Sequence, residues 1–280
     1  MKRIFTIVMI VTLALPLFAF DFFFDEEETS SRNIALTMEG GVLAYVDDGE
    51  LAPSADLTLK AEQDGTNYRA VAEISYDSTL NSLEAQELSL SLFFGPVTLK
   101  AGLMRHSWGT ADTAHVVDIV NGRDLRKGIV DDLELMKRPD WMLTLSTYFE
   151  NGALDLVVKP GFNPSYVPMD GKYSMLKSME PLLAKLPVGY LGFDFDKLKI
   201  TEMDTHSLST VSAGARYRFL FNPVDIGVIY YTGYFQDPGF DPVISDVDSP
   251  PPVKNLDGVH LCYTRYHFLG LATSYFLEPF

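Results

Sequence analysis

Two histidines lie near hydroxyl and carboxylate residues in one charged stretch of the 280-residue chain, residues 105–142. His106 precedes Ser107, and His115 lies three residues before Asp118. Serine, histidine and aspartate are the residue types of a hydrolytic triad, so this stretch is the first candidate for catalysis. It contains no nucleophile elbow and no other spacing that positions such a triad. We therefore expect that the protein is not an enzyme.

The same stretch carries many charges around an apolar repeat. Between residues 124 and 136 apolar side chains recur every three or four residues, which predicts an amphipathic helix that stops before Pro139. Its charged face, basic first and then acidic, could select solutes, or the segment could be a cap that serves stability alone. The candidate residues in and around this helix are Arg105, Asp112, Asp118, Arg123, Asp124, Arg126, Lys127, Asp131, Asp132 and Glu134.

Three residues at the ends of the stretch have two interpretations each. Arg105 could anchor the segment through an ion pair with Asp112 or Asp118, or it could bind a solute. Trp108 and Trp141 bracket the segment, and both could mark a membrane interface or pack inside the fold.

Metal and cofactor sites are not indicated by the remaining residues. Cys262 is the only cysteine, which rules out an intrachain disulfide and a cysteine-based metal site. Asp241, Asp246 and Asp248 lie close together but lack the regular spacing of a calcium-binding loop. We expect no metal ion and no cofactor.

On both sides of this stretch the chain alternates between apolar and polar residues. Such alternation predicts ten or eleven β-strands with one apolar face, and the short turns between the first five make an antiparallel meander. The alternating runs occupy residues 34–46, 54–62, 68–76, 87–94, 97–103, 141–149, 154–158, 211–221, 225–235, 260–269 and 271–276.

Strand length and loop length favour a transmembrane barrel over a soluble sandwich. Six of the eleven predicted strands have nine to eleven residues, the length that crosses a bilayer at a tilt. Short turns alternate with long loops at 105–142, 160–206 and 236–258, as in outer-membrane barrels. We expect an all-β fold, an antiparallel transmembrane β-barrel of about 10–12 strands with a helical loop inserted at 105–142.

The amino terminus predicts export. Lys2 and Arg3 precede an apolar run that breaks at Pro16, so we interpret residues 1–19 as a cleaved signal peptide. We expect residues 20–32 to form an acidic flexible terminus and residues 33–280 to form the barrel. The formal net charge of −16 argues against nucleic acid as a partner. The expected location is the outer membrane, and the expected partner is its lipid bilayer.

An ordered set of motifs adds a resemblance to a known family. Arg105-His-Ser-Trp108-Gly109 is followed by Asn121 and by Asp124-Leu125-Arg126, with Gly122 where the family usually has proline. Across residues 97–276 the chain resembles porin-like Gram-negative outer-membrane β-barrels of unknown function, which carry R-x-x-W-G and N-P-x-D-L-R-like motifs. The resemblance implies passive passage or binding of small solutes, and insertion by the barrel-assembly machinery. In that case the segment 105–142 would narrow the pore.

Alternatives to a complete porin-like barrel stay open. Members of that family are longer and Pro279 suits a strand poorly, so we expect an incomplete copy of a larger barrel or a small barrel with an unusual last strand. A truncated barrel would lack independent function. A soluble or surface-exposed β-sheet module for binding or adhesion would show the same alternation of residues.

Overall fold

The computed structural model describes residues 31–44, 51–108, 119–126, 136–168, 199–221, 223–247 and 253–275, and most of these lie in β-strands. Within these ranges the only helical element is a short 3-10 turn, Leu208–Thr210, and no helix is long and apolar enough to cross a membrane. The strands are β1 (Ser31–Ala44), β2 (Leu51–Asp64), β3 (Tyr68–Asp77), β4 (Ser82–Phe94), β5 (Val97–Met104), β6 (Asp140–Phe149), β7 (Gly152–Lys159), β8 (Lys199–Glu202), β9 (Ser212–Phe221), β10 (Val224–Tyr234), β11 (Gly239–Val247), β12 (Val253–Cys262) and β13 (Arg265–Tyr275).

Ten of these strands form one antiparallel sheet. Their order is β1-β2-β3-β4-β5-β6-β7-β9-β10-β13, so most neighbours in the sheet are also neighbours in the chain. Such pairing follows from the short turns, which allow a strand to return only beside the previous one. The prediction of an all-β fold with an antiparallel meander is confirmed. Within the described ranges, β1 and β13 are the two edges of this sheet and do not pair with each other.

The other three strands occupy places where the sequence predicts irregular loops. β11 and β12 form a hairpin across most of residues 236–258, and β8 pairs with β12 in parallel. The prediction of a loop over residues 236–258 was wrong for most of this range, which lies in β11 and β12. Pro242 lies in β11, an edge strand, where a missing N–H group is tolerated.

The boundaries of the last two strands also differ from the prediction. The sequence predicts strands at 260–269 and 271–276, whereas β12 ends at Cys262 and β13 continues through Gly270. A glycine in a strand weakens the local preference for β-structure, yet the pairing of Gly270 with Ile229 of β10 maintains the ladder.

The helix predicted over residues 124–136 is absent at both of its described ends. The Asp124 N–H donates to the Met136 carbonyl at 2.6 Å, and Arg123 and Lys137 form an antiparallel bridge. A helix over these residues would hold its ends about 18 Å apart, so the prediction was wrong for this span. Residues 127–135 lie outside the described ranges.

Strand register gives the ten-stranded sheet two faces of opposite character. Apolar residues face one another across neighbouring strands, as in the row Leu36–Leu59–Ile74. We call this side the apolar face, and its exposed side chains include Ile34, Leu36, Met38, Leu57, Leu143, Val158, Val228, Leu269 and Leu271. The other side, the polar face, carries Lys60, Glu62, Glu73, Glu87, Lys100, Asp155, Lys159 and Arg216.

A small apolar core lies on the polar face, around Trp108. This side chain is only 1% exposed, and its ring meets the Tyr231 ring edge-on with centroids 6.2 Å apart. A Cβ atom at Gly214 would lie 2.4 Å from the Trp108 ring, so only glycine fits beneath it. Met104, Val120, Met142, Val157 and Ile229 complete this core.

Replacement of Gly214 by alanine should displace Trp108. In a Trp141→Phe background, we expect Trp108 emission to shift to longer wavelength and the free energy of unfolding to fall by about 1–3 kcal/mol, the usual cost of overpacking. The matched control is Gly227→Ala, because a Cβ there would meet its nearest atom at 3.6 Å. Equal effects of the two substitutions would contradict this packing.

Candidate functional site on the polar face

Two cations of the polar face, the buried Lys159 and the half-buried Arg216, hold the inserted segment, residues 105–139, which follows β5. Lys159 Nζ lies 2.6 Å from Asp140 Oδ2 and donates a hydrogen bond to the Val120 carbonyl at 2.6 Å. Arg216 Nη2 lies 2.8 Å from Asp155 Oδ2, and its Nη1 donates to the Trp108 carbonyl at 2.8 Å. Each cation thus joins a carboxylate of the neighbouring strand to a backbone carbonyl of the inserted segment.

The pair of Lys159 and Asp140 is sealed from solvent. Lys159 is 0% exposed and Asp140 is 2% exposed. Asp140 also accepts hydrogen bonds from the Trp141 N–H at 2.9 Å and the Asn163 N–H at 3.0 Å. A buried ion pair is tolerated when such further hydrogen bonds compensate the loss of water. These contacts hold Val120 and the loop after β7 against the same ion pair of the sheet.

Asn121 ties the inserted segment to the ends of two strands. Its Oδ1 accepts from the His106 N–H at 2.8 Å, and its Nδ2 donates to the Arg138 carbonyl at 2.8 Å and the Met104 carbonyl at 3.3 Å. It therefore closes the gap between the end of β5 and the start of β6. The sequence identified Asn121 only as part of a motif, not as a site residue.

Gly122, which stands where the family motif usually has proline, lies in close contact with the loop after β7. A Cβ atom at this position would lie 2.6 Å from the Asn163 carbonyl oxygen. The chain passes so near the loop after β7 that no side chain, including that of proline, fits there.

Arg105 anchors the far end of the same segment. Its Nε donates to the Lys137 carbonyl at 2.7 Å, and its Nη2 contacts Gln86 on β4. Lys137 in turn donates from Nζ to Ser107 Oγ at 2.6 Å. Asp112 and Asp118, the partners proposed for Arg105, lie outside the described residues. The described contacts of Arg105 support the interpretation that it anchors the segment, rather than the interpretation that it binds a solute.

Arg126 is the centre of a charged group at the edge of the polar face. Its two Nη atoms reach both carboxylate oxygens of Glu84 at 2.7 and 2.9 Å, and its Nε lies 2.9 Å from Asp124 Oδ1. The guanidinium of Arg126 stacks 4.4 Å from the centre of the Tyr166 ring, and that of Arg138 stacks 5.0 Å from it. This group, the Arg126 cluster, joins β4, the inserted segment and the loop after β7.

Electrostatics favour the ionised forms of Asp124 and Arg126. Burial alone would raise the pKa of Asp124, but hydrogen bonds from the side chain and N–H of Arg126 outweigh burial and lower that pKa. The hydrogen bond with Asp124 raises the pKa of Arg126. Because the pKa of Asp124 is lowered, its stabilising effect is present above the ordinary aspartate value and is lost as the pH falls through the lowered value.

A row of paired charges continues along β2 to β5. Lys60 lies 2.8 Å from Glu62, Arg69 lies 3.0 Å from Glu62, and Lys100 lies 2.7 Å from Glu87. These side chains are partly exposed, so the pairs contribute less than about 1 kcal/mol each to stability. They line the polar face with alternating charge.

The remaining predicted residues divide into three groups. Arg123 contributes its backbone to the bridge with Lys137. Trp141 is 51% exposed on the apolar face, whereas Trp108 is buried in the core. The candidate residues Asp112, Asp118, Lys127, Asp131, Asp132 and Glu134 lie outside the described residues.

Comparison of the chain with models of known protein families and with curated protein sequences finds no match. The resemblance to the porin-like family therefore stays a prediction that depends on its motifs.

Removal of one member of the buried pair should cost far more than removal of an exposed cation. We expect Asp140→Asn or Lys159→Met to lower the free energy of unfolding by about 3–5 kcal/mol, because the partner is left buried without its counter-charge. The double substitution should cost less than the sum of the two, as a double-mutant cycle would measure. Lys100→Met, at a pair of similar length, is the control, with a loss below about 1 kcal/mol. Similar losses at both lysines would refute the role of burial.

Proposed function

We propose that this chain is a porin-like β-barrel protein of a Gram-negative outer membrane, where it passes or binds small solutes without covalent chemistry. The observation that carries the proposal is that the ten-stranded sheet exposes apolar side chains and buries charged ones. Many of its large apolar side chains are exposed, with Met38 at 77% and Leu269 at 78%, while Lys159 and Asp140 are buried. A soluble protein has the opposite arrangement.

The energetics of the apolar face favour a lipid environment. A fully buried leucine or isoleucine side chain gains about 1.5–3 kcal/mol relative to an exposed one, and this face leaves many such side chains unburied. Monomeric soluble proteins rarely expose apolar patches larger than a few hundred Å². The hydrocarbon of a bilayer would bury this face without any further protein partner.

Aromatic side chains at the strand ends support the same environment. Phe94, Phe149 and Phe221 adjoin the short turns and are exposed, and Trp141 is exposed at the opposite end of β6. Along β6, Trp141 and Phe149 are separated by about 27 Å, which a strand tilt of about 40° reduces to about 20 Å. This height is close to the band of about 25 Å that outer-membrane barrels present to lipid.

The polar face suits the wall of an aqueous passage. Its charges are paired along the wall, and the inserted segment is fastened to that wall by Lys159 and Arg216. A segment held there would narrow the passage, and the charges of Arg105, Asp124 and Arg126 would favour some ions over others. Barrel-assembly machinery would insert such a protein into the membrane.

A second candidate function is a surface-exposed binding module built on an open sheet. It is favoured by the two edges, β1 and β13, which are unpaired with each other in the described part of the chain. Unpaired edge strands can add a strand from another chain. Such a module would not conduct ions.

Planar-bilayer recordings of the purified protein test the proposed passage. We expect stable conductance steps from the full chain, and Arg126→Gln should shift the reversal potential toward greater cation preference because it removes a positive charge from the constriction. Deletion of residues 111–138 is a cruder test, since it also removes Asn121. The control, Lys199→Gln, removes an equal charge from exposed β8 and should leave the reversal potential unchanged.

Two results would count against this proposal. A protein that stays monodisperse without detergent and gives no conductance would favour the surface module. A conductance that Arg126→Gln leaves unaltered would show that the inserted segment does not select the ions.

A further inference from the structure

A polar hollow of about 550 Å³ lies at one end of the ten-stranded sheet. This is the end at which β6 begins and β7 ends. Its walls come from the segments that precede β6, β9 and β13 and from those that follow β7 and β10. The volume falls within the range of about 300–1,000 Å³ that small-molecule sites occupy. In the proposed barrel it would lie at the mouth, where a solute arrives.

Side chains of opposite charge line this hollow. Arg138 lines one part of it, and Glu202 and Asp204 line another. Among the described residues, the Arg138 guanidinium donates one hydrogen bond, to the Pro164 carbonyl, although a guanidinium has five N–H donors. Glu202 uses Oε1 to accept from the Tyr263 hydroxyl at 2.6 Å, and Asp204 uses Oδ1 to accept from the His206 N–H at 3.0 Å. The second oxygen of each carboxylate is thus left for a solute.

The tyrosine rings of the hollow are already in contact with protein groups. The centre of the Tyr166 ring lies 4.4 Å from the Arg126 guanidinium and 5.0 Å from that of Arg138, although Tyr166 is 44% exposed, and Tyr263 is 6% exposed. A neutral sugar would find hydrogen-bonding groups but would compete with these guanidinium groups for the Tyr166 ring. A solute with both charges would find a partner for each.

We propose that this hollow binds small zwitterions of the amino-acid type, with the solute carboxylate at Arg138 and its ammonium group at Asp204 and Glu202. A guanidinium binds a carboxylate in a two-pronged geometry, and a carboxylate binds an ammonium group as a point charge. The inference deepens the proposed function, because it names a solute class for the mouth of the proposed pore.

Calorimetric titration of the full chain in detergent with L-glutamine tests this site. We expect saturable binding that is at least about tenfold tighter than that of acetate, methylammonium or glucose. Arg138→Gln and Asp204→Asn should each weaken L-glutamine binding about tenfold or more, and Glu202→Gln provides a second test of the ammonium site. Asp241→Asn, on the exposed part of β11, removes an equal charge outside the hollow and should leave binding unchanged.

Trp108 emission reports whether each variant is folded, because that ring is far from solvent in the core. Absence of L-glutamine binding by the folded wild-type protein would overturn the inference, as would equal binding of glucose or full binding by the folded Arg138→Gln and Asp204→Asn variants. The titration needs no membrane. Lost conductance with intact binding would overturn the pore alone, and lost binding with intact conductance would overturn the zwitterion site alone.

Discussion

The placement of two cations on the polar face, the fully buried Lys159 and the half-buried Arg216, is the constraint that shapes this protein. Transfer of a cation out of water costs several kcal/mol, so each needs a carboxylate and further acceptors. Asp140 and Asp155 supply the carboxylates from neighbouring strands, and the carbonyls of Val120 and Trp108 supply the rest. The path of the inserted segment is thereby set by the wall of the sheet, with Trp108 packed into the space above Gly214.

The same constraint explains the exposed apolar face. Side chains alternate between the two sides of a strand, so a sheet that directs most of its charges toward the inserted segment directs most of its leucines and isoleucines the other way. The ion pairs and the apolar face are then two consequences of one pattern. The exposed leucines of one face require a bilayer or another apolar partner, whereas the charges of the other face are compensated by one another and by backbone groups.

Much of the large sheet could be predicted from the sequence, because alternation with period two is a local property of each strand. The partners of Lys159 and the three hydrogen bonds of Asn121 could not, since they join residues far apart in the chain. The apolar residues over 124–136 have the spacing of a helix. That spacing does not reveal the hydrogen bond from the Asp124 N–H to the Met136 carbonyl, which a helix would not allow. The loop predicted over 236–258 was wrong for a similar reason, because the place of Pro242 on a sheet edge is a tertiary property.

The environment of the two tryptophans tests most directly whether the apolar face meets lipid. The chain has two tryptophans, so Trp108→Phe leaves Trp141 on the apolar face, and Trp141→Phe leaves Trp108 in the core. In liposomes with bromine on the lipid acyl chains, the account predicts strong quenching of Trp141 and little quenching of Trp108. Quenching of Trp141 by aqueous iodide, with no effect of the brominated lipid, would contradict it.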